Sequence, residues 1–335
     1  MTTNRNQAGR TAIRRVIAGV DGSQSAMHAA LWAAREAESR GVPLTLAHAL
    51  HLPHAAVTLL GPDNYAERWQ AVGDGLVRSV AARIRELHPR LIVATDISPF
   101  SAIDRLAELS TQDVLVVTGT RGHGGFTGML LGSVSRTLAA RAEGPLIVVC
   151  GPEPEEARGA VVLGVGPRPA ESVVEYAFAA ARRHGAPLRV VRAWAQPAST
   201  PLADVGLPGS AAFGVAAPGV LTMPGAPAMT GVLAAPKTLD SDDGEAADAA
   251  LAIEPVHARY PEVKVEVTAA VGDPVSALTD AGAQARLIVV GAHRRRGLFA
   301  IGAGHVVEGL LSHSPVPVAV IPAHPAHQVG DENDG

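Results

Sequence analysis

Short, almost unbroken apolar runs alternate along this chain with longer stretches whose apolar residues recur every three or four positions. The runs RRVIAGV (14–20), PLTLAHAL (43–50), LIVATDI (91–97), DVLVVTG (113–119) and GPLIVVC (144–150) read as five strands. They are rich in Val, Leu and Ile with little polar alternation, which is the pattern of strands covered on both faces. Between them, SAMHAALWAAREAESRG carries helical spacing and stops at Gly41. Tyr65–Leu87 carries the same spacing and ends before Pro89, and SAIDRLAELS and Leu130–Arg141 complete the set. Strand and helix in strict alternation predict an α/β fold with a doubly wound parallel sheet.

The second half repeats the first. VIAGVDGS from Val16 is echoed by VVLGVGPR from Val161, and SRGVPLTLAHAL by RHGAPLRVVRAW. Further on, the segment from Leu115 aligns without gaps on the segment from Ile288 once slid by one position, with Val117 opposite Val289 and Gly119 opposite Gly291. GPLIVV then falls opposite VPVAVI. The reading is two tandem doubly wound parallel five-stranded sheets: a first domain over 11–151, a linker over 152–159 within GPEPEEARG, and a second domain over 160–324. The copies differ most at 196–240, a Pro/Gly/Ala-rich insertion in the second. A structureless stretch of that length is unusual inside a compact domain. It is expected to be a mobile surface insertion, with a lid or partner-binding segment as the alternative.

Composition narrows the partners. At 335 residues the chain has mass enough for two cores. Aromatics make up 3% of residues, so stacking platforms for nucleic acid are scarce, and a net charge of −4 argues against broad binding to a phosphate backbone. Lysine occurs at Lys237 and Lys264 alone, so arginine carries nearly all the positive charge. A single cysteine, Cys150, excludes an internal disulfide, fits a reducing compartment, and reads as a core residue at a strand end. The N-terminus MTTNRNQAGRTAIRR has no signal-peptide core, and the uncharged stretch between Asp204 and Lys237 is broken by Pro208, Pro218, Pro224 and Pro227. The expectation is a soluble cytoplasmic protein that engages neither membrane nor nucleic acid.

The segment VVTGTRGHGGFTGMLLGSVS, Val116–Ser135, crowds glycines between a strand and a helix. Glycine is costly to order, so the cluster implies that backbone must come close to something side chains would block. The spacing is Gly119-x2-Gly122-x9-Gly132-Ser133. Gly119 lets backbone approach directly after the strand, and Gly122 suits a turn or a positive φ. Gly132 and Ser133 sit at a helix start, where Ser133 and Ser135 offer hydroxyls beside free N–H groups, an anion site that needs no lysine. Ligands of doubly wound sheets bind beyond the carboxyl ends of strands where the strand order reverses, and VDGS closes the first strand at the same end. There is no G-x-x-x-x-G-K-[ST], and after Gly122 and Gly124 the third position of G-x-G-x-x-G holds Thr127. No nucleophile–base pair stands out; Asp21 and Asp113 are single carboxylates. His48, His51 and His54 recur at three-residue intervals, but Pro53 interrupts and no helix is expected, so they read as strand-end and loop residues with no metal. Asp242 and Asp243 read as a charge run at a helix N-terminus.

On the glycine pattern, GVDGS and the duplication, the chain resembles the universal stress proteins over almost its whole length apart from the insertion. The resemblance implies an adenine nucleotide alpha hydrolase-like fold with strand order 3-2-1-4-5. It implies ATP bound in the first domain with little or no hydrolysis, Mg2+ being a candidate companion ion, in the service of a stress response. Carried over residue by residue, Asp21 would contact the nucleoside, Gly19 and Val20 would line the same edge, and the Ala49 backbone would meet adenine. Gly119, Arg121, Gly122, Gly132, Ser133, Val134 and Ser135 would surround ribose and phosphates. The closing strands would pair across domains or between chains, giving an intramolecular pair or a homodimer, and the protein target stays unnamed. In the second copy Gly166 replaces Asp21, Arg294 replaces Gly122 and His305 replaces Ser133, so weak or absent ATP binding is expected there. Two alternatives stay open: a slow ATPase or nucleotidyl-transfer enzyme using the same crevice, and a nucleotide-free dimerisation scaffold.

Overall fold

The computed structural model describes residues 12–50, 62–122, 131–150, 159–194, 241–292 and 303–323. The insertion at 196–240 and the histidines His51 and His54 therefore lie outside the described residues. In the first half, the apolar runs form β1 (Arg15–Gly19), β2 (Leu44–Ala49), β3 (Val93–Ser98), β4 (Val114–Gly119) and β5 (Leu146–Val149). The helical stretches form α1 (Gln24–Arg40), α2 (Pro62–Leu87), α3 (Ala102–Leu109) and α4 (Ser133–Arg141). The second half repeats the plan with β6 (Val161–Gly164), α5 (Glu171–Arg183), β7 (Leu188–Trp194), α6 (Ser241–His257), β8 (Val265–Val271), α7 (Pro274–Gly282), β9 (Leu287–Ala292), α8 (His305–His313) and β10 (Val318–Pro322).

All ten strands join one sheet in the order β3-β2-β1-β4-β5-β10-β9-β6-β7-β8. Each half is parallel and keeps the expected order 3-2-1-4-5. Helices α1, α2, α5 and α6 cover one face, and α3, α4, α7 and α8 the other. Most strand residues are therefore buried on both sides, which is why the runs show no polar alternation.

Local chemistry sets the helix ends. The Ser23 hydroxyl accepts the Ala26 N–H at 3.1 Å and so caps α1, while Gly41 ends it in the left-handed conformation at φ 66°. Ser101 and Asp273 cap α3 and α7 from equivalent positions of the two repeats. The buried face of α1 is almost all alanine, so the helix axis lies close to the strands. Helix α4 begins at Ser133 rather than at the expected Leu130, because the Gly132 N–H first turns back to the Thr120 carbonyl at 2.7 Å. Among the described residues no helix is long and apolar enough to cross a membrane. Cys150 is buried at the end of β5, and burial pushes its thiol up to about 12, as a core residue requires.

The closing strands pair within the chain. β5 and β10 run antiparallel, with Val318 opposite Val148, Ala319 opposite Ile147 and Val320 opposite Leu146. In the repeat alignment Leu146 corresponds to Val318 and Ile147 to Ala319, so this register has a local two-fold through the Ile147–Ala319 pair. Beside this seam, on the α1/α5 face, Glu36 is 3% exposed. Its carboxylate meets Arg40 on its own helix at 2.7 Å. From α5 it meets the Arg183 Nε at 3.4 Å and the His184 Nε2 at 3.3 Å. Arg40 also donates to the Tyr176 hydroxyl of α5 at 3.4 Å, and Arg286 at the foot of β9 adds a further positive field. Burial pushes the Glu36 carboxyl up, but the His184 hydrogen bond and the Arg40 and Arg183 charges together outweigh it and hold the group at about 2 against an ordinary 4.5.

A carboxyl depressed in the folded state stabilises fully above its unfolded value and loses that contribution as pH falls through the folded one. Glu36 should therefore contribute on the order of 3 kcal/mol at neutral pH, vanishing between about pH 4.5 and 2. Guanidinium unfolding midpoints of the native chain and of Glu36→Gln should differ most above pH 5 and converge toward pH 2. A gap that stays constant over that range would contradict the assignment.

Candidate functional site

β1 and β4 lie side by side, and beyond them the chain winds outward in opposite directions, so their carboxyl ends open on a crevice. The loop after β1 is built by its own side chains. Gly22 takes φ 86°, a conformation that favours glycine, and Asp21 Oδ1 accepts the Ser23 N–H at 2.9 Å. The Ser23 hydroxyl, besides capping α1, donates to the Arg121 carbonyl at 3.4 Å. The Arg121 N–H donates to the Ser25 hydroxyl at 3.4 Å. Two loops separated by a hundred residues are thus laced together at the crevice floor.

The glycines follow from that lacing. A Cβ at Gly119 would meet the Ser25 hydroxyl and come within 2.7 Å of Ser25 backbone atoms. One at Gly122 would run into the Asp21 carboxylate, and one at Gly132 would lie 3.1 Å from the Thr120 carbonyl. The expected positive φ falls at Gly22 and not at Gly122, whose need for glycine is room beside Asp21. Ser135 is buried: its hydroxyl donates to the Gly119 carbonyl at 2.6 Å and lies 3.1 Å from the Thr118 hydroxyl. It holds the start of α4 on the end of β4 and does not face outward. Ser133 and Arg121 are exposed, and Val134 is half-buried against the α3/α4 core.

The inner edge is packing. A Cβ at Gly19 would lie 3.1 Å from a Leu106 methyl of α3. Val20 is buried; its N–H donates to the Ala47 carbonyl at 2.8 Å, and its carbonyl accepts from the His48 Nδ1 at 2.8 Å. Ala49 ends β2 opposite Ser98, on the strand next to β1. The structure therefore brings Asp21, Gly119, Arg121, Gly122, Gly132 and Ser133 to one place, and gives Gly19, Val20 and Ser135 internal duties. Ser23, Ser25 and Thr118 belong to the same constellation and were not singled out from sequence. A serine just before an apolar-periodic run was the available signal for Ser23. Among the described residues no group of three His, Cys, Asp or Glu could hold a metal ion.

Chemically, the floor sets an uncapped helix N-terminus and a guanidinium beside one carboxylate. Two helix N-termini, α1 and α4, adjoin the crevice. The first is closed by Ser23, whereas the cap residue of α4 is Gly132, which has no side chain to satisfy the opening amides. Those amides, the helix dipole, the Ser133 hydroxyl and the Arg121 guanidinium all favour negative charge. Asp21 can accept hydrogen bonds from neutral hydroxyls. The second half differs at the equivalent positions. Gly166, Pro167 and Arg168 replace Asp21, Gly22 and Ser23, Val290 and Val307 replace Thr118 and Ser135, and Gly304 caps α8 at φ 93°. His305 stands at the first position of α8. Arg294 lies outside the described residues.

The family model for "Universal stress protein family" matches residues 12–149 and 220–322. Two universal stress proteins of Mycobacterium tuberculosis, Rv2005c and Rv2623, are each 30% identical over 319 residues. The alignments cover 91% of this chain and 96% and 95% of those proteins. Among solved structures, a universal stress protein from Archaeoglobus fulgidus superposes with a TM-score of 0.64 at 15% identity, over 93% of this chain and 99% of its own. A putative universal stress protein from Pseudomonas aeruginosa gives 0.52 at 15% identity, over 93% and 94%. At such identity the two structures speak for the fold alone.

The close approach at the crevice floor is testable without any ligand. Gly119→Ala should force Ser25 backbone away from β4 and destabilise the chain by ~1–3 kcal/mol, the range of core overpacking. Gly291→Ala, whose Cβ would meet only a Val173 methyl at 3.1 Å, should cost less. Thermal unfolding of the two variants side by side checks the order, and equal losses would contradict it.

Proposed function

The chain belongs to the universal stress protein family, and from that premise we propose that it is a nucleotide-binding regulatory protein whose first half holds ATP at the crevice between β1 and β4, with little or no hydrolysis. The observation that carries the reading is the pairing of an uncapped helix N-terminus with a floor of glycines. The opening amides of α4 have no side-chain cap at Gly132, while Gly119 and Gly122 let the β4 loop close against Ser25 and the Asp21 carboxylate beside it. A polyphosphate needs amides and a cation in such an arrangement. Arg121 and the Ser133 hydroxyl supply the rest, Asp21 is the acceptor for a ribose hydroxyl, and Ala49 is the backbone beside adenine. Residues Gly19, Val20 and Ser135 support the site from behind, Val134 by its backbone N–H. Mg2+ would reach this crevice as a companion of the triphosphate. In this reading the site binds and orients the nucleotide. A regulatory reading follows from linkage, because a ligand shifts a conformational equilibrium by its differential affinity.

The second half lacks Asp21, Ser23 and the Thr118–Ser135 hydroxyls in equivalent positions, so one site per chain is expected. Heat release from the purified protein followed by chromatography should yield adenine nucleotide, and calorimetric titration of the emptied protein with ATP should give one tight site. Asp21→Asn retains the acceptor for the Ser23 N–H while removing the charge, and should weaken binding by about tenfold, the worth of one charge-assisted hydrogen bond. Gly122→Arg should cut ATP affinity severely, because its side chain displaces the Asp21 carboxylate, with the chain still folded by circular dichroism. Two equivalent sites, or a protein that neither carries nor binds adenine nucleotide, would overturn the reading; the latter leaves a scaffold. ADP formation that is lost in Asp21→Asn would make it an ATPase.

A further inference from the structure

We infer that the two halves are coded by charge to pair with each other and to reject copies of themselves. The local two-fold at the Ile147–Ala319 pair makes equivalent residues of the halves meet across the seam. On the α4/α8 face, Arg136 and Glu308 are such equivalents, in the alignment that sets Gly132 opposite Gly304. They carry opposite charges and contact each other at 3.4 Å and 3.5 Å. On the α1/α5 face, the alignment of SRGVPL on RHGAPL sets Arg40 opposite His184 and Glu36 opposite Ala180. One carboxylate therefore serves the cation of its own helix and both cations of the opposing one. The carboxylate's counterpart, Ala180, is 1% exposed, so the second half offers no acid at that depth.

Each alternative fails on at least one face. Two first halves joined through β5 would set Arg136 onto Arg136, and would bury two Glu36 carboxylates where Arg40 takes the place of His184 but Ser39 that of Arg183. Two second halves joined through β10 would bury Arg183 and His184 of both with no carboxylate at the equivalent of Glu36, and set Glu308 against Glu308. Like charges facing one another, and buried cations without a counter-charge, are the means by which an interface excludes a wrong partner. Only the mixed pair satisfies both faces. The surface beside β5 thus takes one kind of partner, a second half, and the covalent connection supplies one at high effective concentration.

The test is a sign reversal in the full chain. Glu36→Ala should lower the folded-to-unfolded ratio, read from guanidinium midpoints at pH 7, by ~100-fold or more, as for a buried pair losing one member. Ala180→Glu should also lower it in the native background, where two carboxylates then crowd the axis. In the Glu36→Ala background the same Ala180→Glu change should raise the ratio at least tenfold, because the acid is restored from the other side of the two-fold. A purely steric effect would keep one sign in both backgrounds and would overturn the inference. Should the buried variants fail to fold, the exposed pair decides. Arg136→Glu and Glu308→Arg should each lower the ratio ~2–5-fold, and the doubly reversed chain should return to within about twofold of native. A double variant as weak as the sum of the singles would likewise overturn it.

Discussion

The antiparallel ladder between β5 and β10 is the constraint from which the rest of this molecule follows. A five-stranded half of order 3-2-1-4-5 ends in an apolar edge strand, and such an edge invites pairing with any chain that offers another. Here the two edges consume each other. Their register centres on Ile147 and Ala319, so helices α1 and α5 must meet on one face of the sheet and α4 and α8 on the other. What those helices carry near the axis then becomes buried or opposed by geometry alone. Glu36 lies out of water for that reason, and its retention as a charge depends on Arg40, Arg183 and His184 converging on it.

Helix α1 ties this seam to the crevice. Its first turn holds Ser23 and Ser25, which lace the β1 and β4 loops, and its last turns hold Glu36 and Arg40, which bind the second half. Seventeen residues of helix span about 25 Å, so the two features are opposite ends of one rigid rod. The alanines along its buried face let the rod sit directly on the strands, and Gly119 removes the last obstacle where it meets β4. The crevice floor and the junction between the halves are therefore carried by one helix.

Most of the fold was legible because burial on both faces leaves a strong mark: five Val/Leu/Ile runs with four helical stretches between them, written twice. The glycine pattern was legible too, but its cause was only half visible. Sequence spacing implied that backbone must come near something at Gly119 and Gly122; that the near neighbours are Ser25 and Asp21 depends on how α1 packs, which spacing cannot express. Ser135 shows the limit from the other side. A hydroxyl three residues past a glycine reads as a ligand group, yet the helical turn carries it inward onto Thr118 and the Gly119 carbonyl. Glu36 left no mark at all, because one acid in an alanine-rich helix looks like solvent-facing charge until the other half is placed against it.

The divergence of the two copies is consistent with this division. Where the first half has a hydroxyl pair at Thr118 and Ser135, the second has buried Val290 and Val307, which carry no polar atom to satisfy. Where a Cβ at Gly119 would meet the backbone of Ser25, one at Gly291 would meet the side chain of Val173. At these positions the second half has ordinary packing where the first has polar order, while its Arg183 and His184 are the cations that Glu36 meets. Retaining the seam while relaxing the crevice is what a covalent repeat permits. A symmetric dimer must keep both sites or lose both, whereas a tandem chain can assign binding to one half and leave the other as the surface against which that half is held.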